Sequence, residues 1–148
     1  MGWLDYLVDT NVWLRILSLA SPLRPPARHA IATLLRRGDD LCVAPQNLIE
    51  FWNVSTRPQK DNGFGKTVAE TDRYCRFLES FLTVLPETPA LFARWRELAV
   101  DHEVSGKKVH DERLVAAMSV HRIRLILTFN TKDFVRYKDV EAVRPEEV

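Results

Sequence analysis

Cysteine is nearly missing from this sequence: Cys42 and Cys75 are the only two, far apart and each in apolar surroundings. That rules out a disulfide framework and a cysteine-rich zinc site, and leaves two buried free thiols in a reducing compartment, the cytoplasm. Long apolar runs are missing too; none approaches the roughly 20 residues that a membrane span needs. Met1-Gly2-Trp3-Leu4-Asp5 lacks the basic lead into an apolar core that marks a signal peptide. A myristoyl group on Gly2 would want Ser or Thr where Tyr6 stands. There is no excess of either charge, since 21 basic and 20 acidic residues leave a formal net charge of +1. Any case for a polyanionic partner must therefore rest on local charge. No repeat, low-complexity tract or linker interrupts the chain, so residues 1–148 are expected to form one domain. At 46% apolar and 28% charged residues, the composition is that of an ordinary globular protein, with disorder expected only at Arg144-Pro145-Glu146-Glu147-Val148.

What is present reads as strands and helices in alternation. Tyr6-Leu7-Val8 is a strand broken by Asp9-Thr10-Asn11, after which Val12, Trp13, Leu14, Ile16 and Leu17 resume at helical spacing. Pro25-Pro26 opens a second helix with Ile31, Leu34 and Leu35 on one face, and Arg36-Arg37-Gly38 closes it. Leu41 to Ala44 is a second strand, and Pro45 begins a helix from Gln46 to about Val54. Ser55 to Lys66 forms the longest loop. A helix with Val68, Cys75, Leu78 and Leu82 facing inward follows, then a strand within Phe81–Leu85. Pro89 opens a helix carrying Leu91, Trp95, Leu98 and Ala99. After the basic turn Ser105–Lys108, Asp111 begins a helix with Leu114, Val115 and Met118 on one stripe. Leu125 to Phe129 is a fourth strand, and Val140 to Val143 a short fifth. Continuously apolar strands separated by helices predict an α/β fold, with a central parallel sheet of four to five strands and helices on both faces.

In such sheets ligands gather beyond the C-terminal ends of the strands. Asp9 ends the first strand, Asn130 and Asp133 follow the fourth, Asp111 starts the helix that feeds it, and Glu50 lies in the helix after the second. Two carboxylates about 4 Å apart repel by about 4 kcal/mol at an effective dielectric of about 20. Against a domain stability of about 5–15 kcal/mol, a cluster of three or four persists only with retained protons or a cation. Oxygen ligands, with no His or Cys at ligand spacing, point to Mg²⁺ or Mn²⁺ and to phosphodiester hydrolysis.

Each residue also has a simpler reading. Asp9 suits an Asx turn, Asp111 a helix N-cap, and Asn130 with Asp133 a plain turn. Leu48, Trp52 and Ser55 share one helical face. Glu50 lies opposite, beside Gln46, Asn53 and Arg57, on a face that usually meets solvent. His110 reads as a surface or supporting residue, and His29, His102 and His121 as helix-face residues. Arg57, Lys60, Lys66, Lys107 and Lys108 are either solvated charges or contacts for a phosphate backbone.

Taken in order, these pieces resemble the PIN-domain ribonucleases, and among them the toxin component of bacterial VapBC-type toxin–antitoxin pairs. The resemblance runs through Leu7-Val8-Asp9-Thr10-Asn11-Val12, then Asn47-Leu48-Ile49-Glu50-Phe51, then Arg57-Pro58 and Asn62-Gly63. It continues with His110-Asp111 and Leu114-Val115-Ala116-Ala117, and ends on Thr128-Phe129-Asn130-Thr131-Lys132-Asp133-Phe134. It implies Asp9 and Asp111 as the principal Mg²⁺ ligands, with Mn²⁺ as a substitute. It implies Glu50 as a third acid that binds metal or orients the attacking water, and a fourth acidic position at either Asn130 or Asp133. Thr128 is implied as a hydrogen-bonding group for a ligand or the scissile phosphate. Asn11, Arg57, Lys60, Lys66, Lys107 and Lys108 are the expected substrate contacts. An RNA substrate, a homodimer formed through helices, and an antitoxin whose tail brings an arginine to the carboxylates are expected on the same ground.

Two other readings compete. A non-catalytic PIN-like module would hold RNA or protein without cutting. An aspartyl-phosphate phosphatase would use Asp9 as nucleophile, but that chemistry usually wants a second Asp where Asn11 stands.

Overall fold

The computed structural model describes residues 3–148. Met1 and Gly2, and with them the acceptor position considered above, lie outside the described residues. The elements run β1 (Asp5–Val8), α1 (Thr10–Leu17), α2 (Arg24–Arg36), β2 (Asp40–Val43), α3 (Pro45–Thr56) and α4 (Val68–Phe81). They continue with β3 (Thr83–Val84), α5 (Ala90–Asp101), α6 (Lys108–Val120), β4 (Leu125–Leu127) and β5 (Glu141–Val143). All five strands are parallel, in the order β3-β2-β1-β4-β5.

The strands are short, and their apolar residues are used on both sides. Tyr6 and Val8 enter a core shared with residues of α1, α2, α3 and α4. Leu7, between them in sequence, enters a second core with residues of α5 and α6. That alternation is the two-residue period of a strand, and it produces the expected three-layer α/β architecture. No described helix is long and apolar enough to cross a membrane.

Local chemistry sets the boundaries. Asp9 is the N-cap of α1, its Oδ1 accepting from the Thr10 N–H at 2.8 Å. Pro25 and Pro26 occupy the first turn of α2, and Gly38 beyond its end takes the left-handed φ of 82°. Thr67 and Glu70 cap α4 reciprocally. Between α3 and α4 the long loop is held by Phe64 N–H to the Val54 carbonyl and Lys66 N–H to the Ser55 carbonyl. Gly63 is required there, because a Cβ would fall 1.9 Å from the Arg57 carbonyl oxygen.

Several expectations need correction. The third strand lies within Phe81–Leu85 as expected but spans only Thr83–Val84, because α4 continues through Phe81 and Leu82 is its C-cap. Val68 opens α4 on its exposed side instead of facing inward. The helix expected to begin at Asp111 begins at Lys108, directly after Gly106 turns the chain at φ 63°. Asp111 therefore sits in the first turn and is not the N-cap. The tail is ordered: Arg144 donates to the Phe129 carbonyl at 2.7 Å, Pro145 is buried, and Val148 packs on the first core. Both cysteines are free and buried, as expected, and burial pushes the Cys42 thiol up to about 12.

The order of the sheet decides where a site can form. From β1 the chain moves to β2 and β3 on one side, then crosses to β4 and β5 on the other. The reversal lies between β1 and β4, so the crevice at a topological switch point opens beside the C-terminal ends of those two strands.

Candidate active site

Asp9 is at that point. Its backbone N–H reaches the Leu127 carbonyl at 2.9 Å, which ties the end of β1 to the end of β4. Its side chain is only 9% exposed and is held by three donors. Thr10 N–H donates to Oδ1, the Thr128 hydroxyl donates to Oδ2 at 2.8 Å, and Asn11 Nδ2 donates to Oδ2 at 3.2 Å. Burial raises the Asp9 carboxyl from 3.8 to about 6, and the nearby charges of Glu50 and Asp111 add to the rise. The hydrogen bonds from Thr128 and Thr10 oppose it without cancelling it.

Glu50 comes from the second turn of α3, and its carboxylate turns toward α1. Thr10 Oγ1 donates to Oε2 at 3.0 Å, and Gln46 Nε2 donates to Oε1 at 2.9 Å. The face read as solvated is thus covered by the start of α1, with Gln46 at 8% and Asn47 at 0% exposure. Asn53 and Arg57 do not join it. Asp111 is half-buried, and its carboxyl is raised by burial, then by Asp133 and Glu50, against the lowering effect of Lys108 and His110. The turn after β4 separates its two candidates. Asp133 lies within electrostatic reach of Asp111, whereas Asn130 is exposed, its backbone N–H on the Thr128 hydroxyl and its carbonyl accepting from Asp133 N–H.

Two expected ligand contacts have structural roles instead. Thr128 is fully buried, and its hydroxyl donates to Asp9 while accepting from Asn11 and Asn130. It positions Asp9 and presents nothing to a phosphate. Asn11 uses Nδ2 on Asp9 and Thr128 and accepts with Oδ1 from Phe129 N–H at 3.1 Å, pinning α1 to the end of β4. Of the basic residues, Lys108 lies near Asp111, and Lys107 precedes it at the start of α6. Arg57, Lys60 and Lys66 belong to the far end of α3. Arg57 is seven residues beyond Glu50, about 10 Å along the helix, and donates to the Asn62 carbonyl.

Sequence reasoning missed the brace behind Glu50. Gln46 Nε2 also donates to the His110 carbonyl at 2.9 Å, and Arg113 Nη1 donates to Gln46 Oε1 at 3.0 Å. This links α3 to the first turn of α6, beside Asp111. The available signal was the four-residue spacing of Gln46 and Glu50, which puts both on one stripe of α3.

Among the described residues, no three acidic, histidine or cysteine side chains stand close enough together to hold a metal ion as a group. Glu50 and Asp111 nevertheless raise the Asp9 carboxyl, Asp133 and Glu50 raise that of Asp111, and the available donors are all carboxylate oxygens. Such an open set fits Mg²⁺, which keeps several waters and takes one or two carboxylates, better than an ion that needs a full protein shell. Asp9, Asp111 and Glu50 are the residues that would hold it, with Asp133 behind Asp111.

Comparison with known proteins places this geometry. No curated protein sequence matches the chain. Among solved structures it is similar to VapBC-1 from nontypeable Haemophilus influenzae, at TM-score 0.69 and 16% identity, covering 96% of this chain and 98% of that one. It is also similar to VapBC2 from Rickettsia felis bound to a promoter DNA fragment, at TM-score 0.69 and 15% identity, covering 95% and 98%. A third is VapC20 from Mycobacterium tuberculosis, a sarcin–ricin loop cleaving toxin, at TM-score 0.65 and 16% identity, covering 89% and 95%. At these identities the likeness is one of fold. The PIN domain profile matches residues 6–140, from β1 to the threshold of β5 and across all four acids. The chain belongs to the PIN domain family.

Proposed function

We propose that this protein is a metal-dependent endoribonuclease and the toxin of a toxin–antitoxin pair. The observation that carries the reading is the gathering of Asp9, Glu50, Asp111 and Asp133 at the switch point, with Asp9 buried and clamped by Thr10, Asn11 and Thr128. Such a concentration of like charge is held against its own repulsion, as a cation site requires. A divalent cation bound there supplies Lewis acidity, acidifying water and offsetting charge on the phosphate. The residues themselves orient and neutralise. Asp9 is fixed by its three donors, so it needs no rearrangement on binding. Glu50 accepts one hydrogen bond on each oxygen, which leaves lone pairs for a ligand. Lys107 and Lys108, at the start of α6 with Lys108 near Asp111, would contact the phosphates flanking the scissile bond. Similarity in fold to a toxin that cleaves the sarcin–ricin loop supports RNA as the substrate class.

The antitoxin is assigned to an apolar groove of about 380 Å³ walled by Trp13, Ile16, Leu35, Tyr74, Phe77 and Phe81, from α1, α2 and α4. Solved relatives that are toxin–antitoxin complexes support a protein occupant. A homodimer and residence in the cytoplasm complete the proposal.

The test is cleavage of a mixed RNA pool by purified protein with Mg²⁺ or Mn²⁺ and with EDTA, beside Asp9→Asn. Metal-dependent cutting that disappears in the variant is the expected result. Equal cutting by both proteins refutes the assignment, and RNA binding without cutting transfers it to a non-catalytic module.

A further inference from the structure

A second recess adjoins the acidic edge on the α5–α6 side, with a volume of about 440 Å³. Its wall includes Leu91, Phe92, Trp95, His110, Arg113 and Glu87. Phe92 is 62% exposed, a large apolar ring left in water. Trp95 stacks against it, ring centroids 5.7 Å apart and planes inclined by 23°, which holds the Phe92 ring in place. The indole Nε1–H donates to the Val109 carbonyl at 3.0 Å, fixing the platform to the start of α6. The Arg96 guanidinium lies 5.6 Å from the Phe92 ring centroid.

We propose that this recess is a nucleobase-stacking subsite, which takes one base of a single-stranded RNA whose phosphate lies at the acidic edge. The inference rests on the ribonuclease reading and extends it to substrate recognition. Its position argues for this occupant. His110 lines the recess and Asp111 belongs to the acid cluster, one residue step or about 3.8 Å apart between Cα atoms. Arg113 lines it as well and reaches Glu50 through Gln46. Charge agrees: among the described residues Glu87 is the one acid on the wall, and its carboxylate is engaged by Arg113 at 2.7 Å. The Arg96 guanidinium over the Phe92 ring adds a positive charge suited to a polyanion. An anchored aromatic surface with arginine beside it is how proteins hold unpaired bases, since every base offers a π face.

The test reads binding instead of cleavage. Asp9→Asn protein serves as the parent, and the probe is a short mixed-sequence single-stranded RNA followed by fluorescence anisotropy. Phe92→Ala should weaken binding about tenfold, while Phe92→Tyr restores it. Because Phe92 is largely exposed, neither change should disturb folding. Replacing successive nucleotides by abasic ones should locate one position that weakens the parent equally and has no further effect in Phe92→Ala. Unchanged affinity in Phe92→Ala overturns the subsite, as does simple additivity of the two losses. A change in molecular mass by light scattering at unchanged affinity also overturns it and makes the recess a contact between copies of this chain. If wild-type protein cuts RNA with metal while Phe92→Ala binds normally, only the subsite fails. A chain that neither binds nor cuts RNA removes the ribonuclease reading together with it.

Discussion

Asp9 concentrates the chemistry of the site and also costs the fold stability. Its carboxyl is raised from 3.8 to about 6 in the folded chain, so between those values the folded state binds more protons than the unfolded one. Stability then falls as pH rises from about 4 to about 6, and the loss is complete above that range. At about 1.4 kcal/mol per pH unit, Asp9 destabilises the metal-free protein at neutral pH by about 3 kcal/mol. Asp9→Asn should abolish cleavage yet raise metal-free stability at pH 7 by up to about 2 kcal/mol, the remainder being lost with the carboxylate's second acceptor. Urea titrations in EDTA at pH 4.5 and pH 7 check this, and a variant less stable at pH 7 than wild type would refute it. Thr128→Val tests the clamp separately. It removes the hydroxyl donor to Asp9 and leaves the Asn130 N–H without its acceptor, for about 1–3 kcal/mol. The Asp9 midpoint should climb above about 6, so half-maximal Mg²⁺ binding moves to higher pH.

At the level of elements, much of the fold was legible in the sequence because the central strands carry short apolar runs, Tyr6–Val8, Leu41–Val43 and Leu125–Leu127, set off by polar neighbours. Asp9 stood out because it breaks such a run. What escaped were relations between elements. A helical wheel of α3 puts Glu50 on a polar stripe, but only the packing of α1 across it turns that stripe inward through Thr10. Thr128 and Asn11 read as ligand contacts because both are polar at a strand end; neither betrays that the other is its partner 117 residues away. The start of α6 falls three residues earlier than expected because Lys107 and Lys108 read as part of the turn that Gly106 makes, whereas Lys108 already opens the helix. The groove between α1, α2 and α4 gives the prediction proper to this scale. Phe77 is 60% exposed on its wall, so Phe77→Asp should leave thermal stability within about 1 kcal/mol. Co-purification with the neighbouring gene product should be lost. Retention of the complex by that variant would place the partner elsewhere.

For the whole molecule, two cores on opposite faces of a sheet of short strands give a body whose stability depends on its charged edge. A cation there should stabilise the folded state alone, by about 2.7 kcal/mol at a hundredfold excess over its Kd. For a chain of this size that corresponds to a rise in Tm of about 5–10 °C. Thermal scans with Mg²⁺ and with EDTA test this, and Asp9→Asn should lose most of the rise. An equal rise in the variant would separate metal binding from Asp9. The bond between Asp9 and Thr128 spans 119 residues, and Arg144 closes over Phe129 from the last few residues of the chain. During synthesis Asp9 therefore waits for Thr128, 119 residues later, before this part of its clamp can form. The candidate site is thus a product of the completed tertiary fold: no local segment assembles it, and it exists only once β4 lies beside β1.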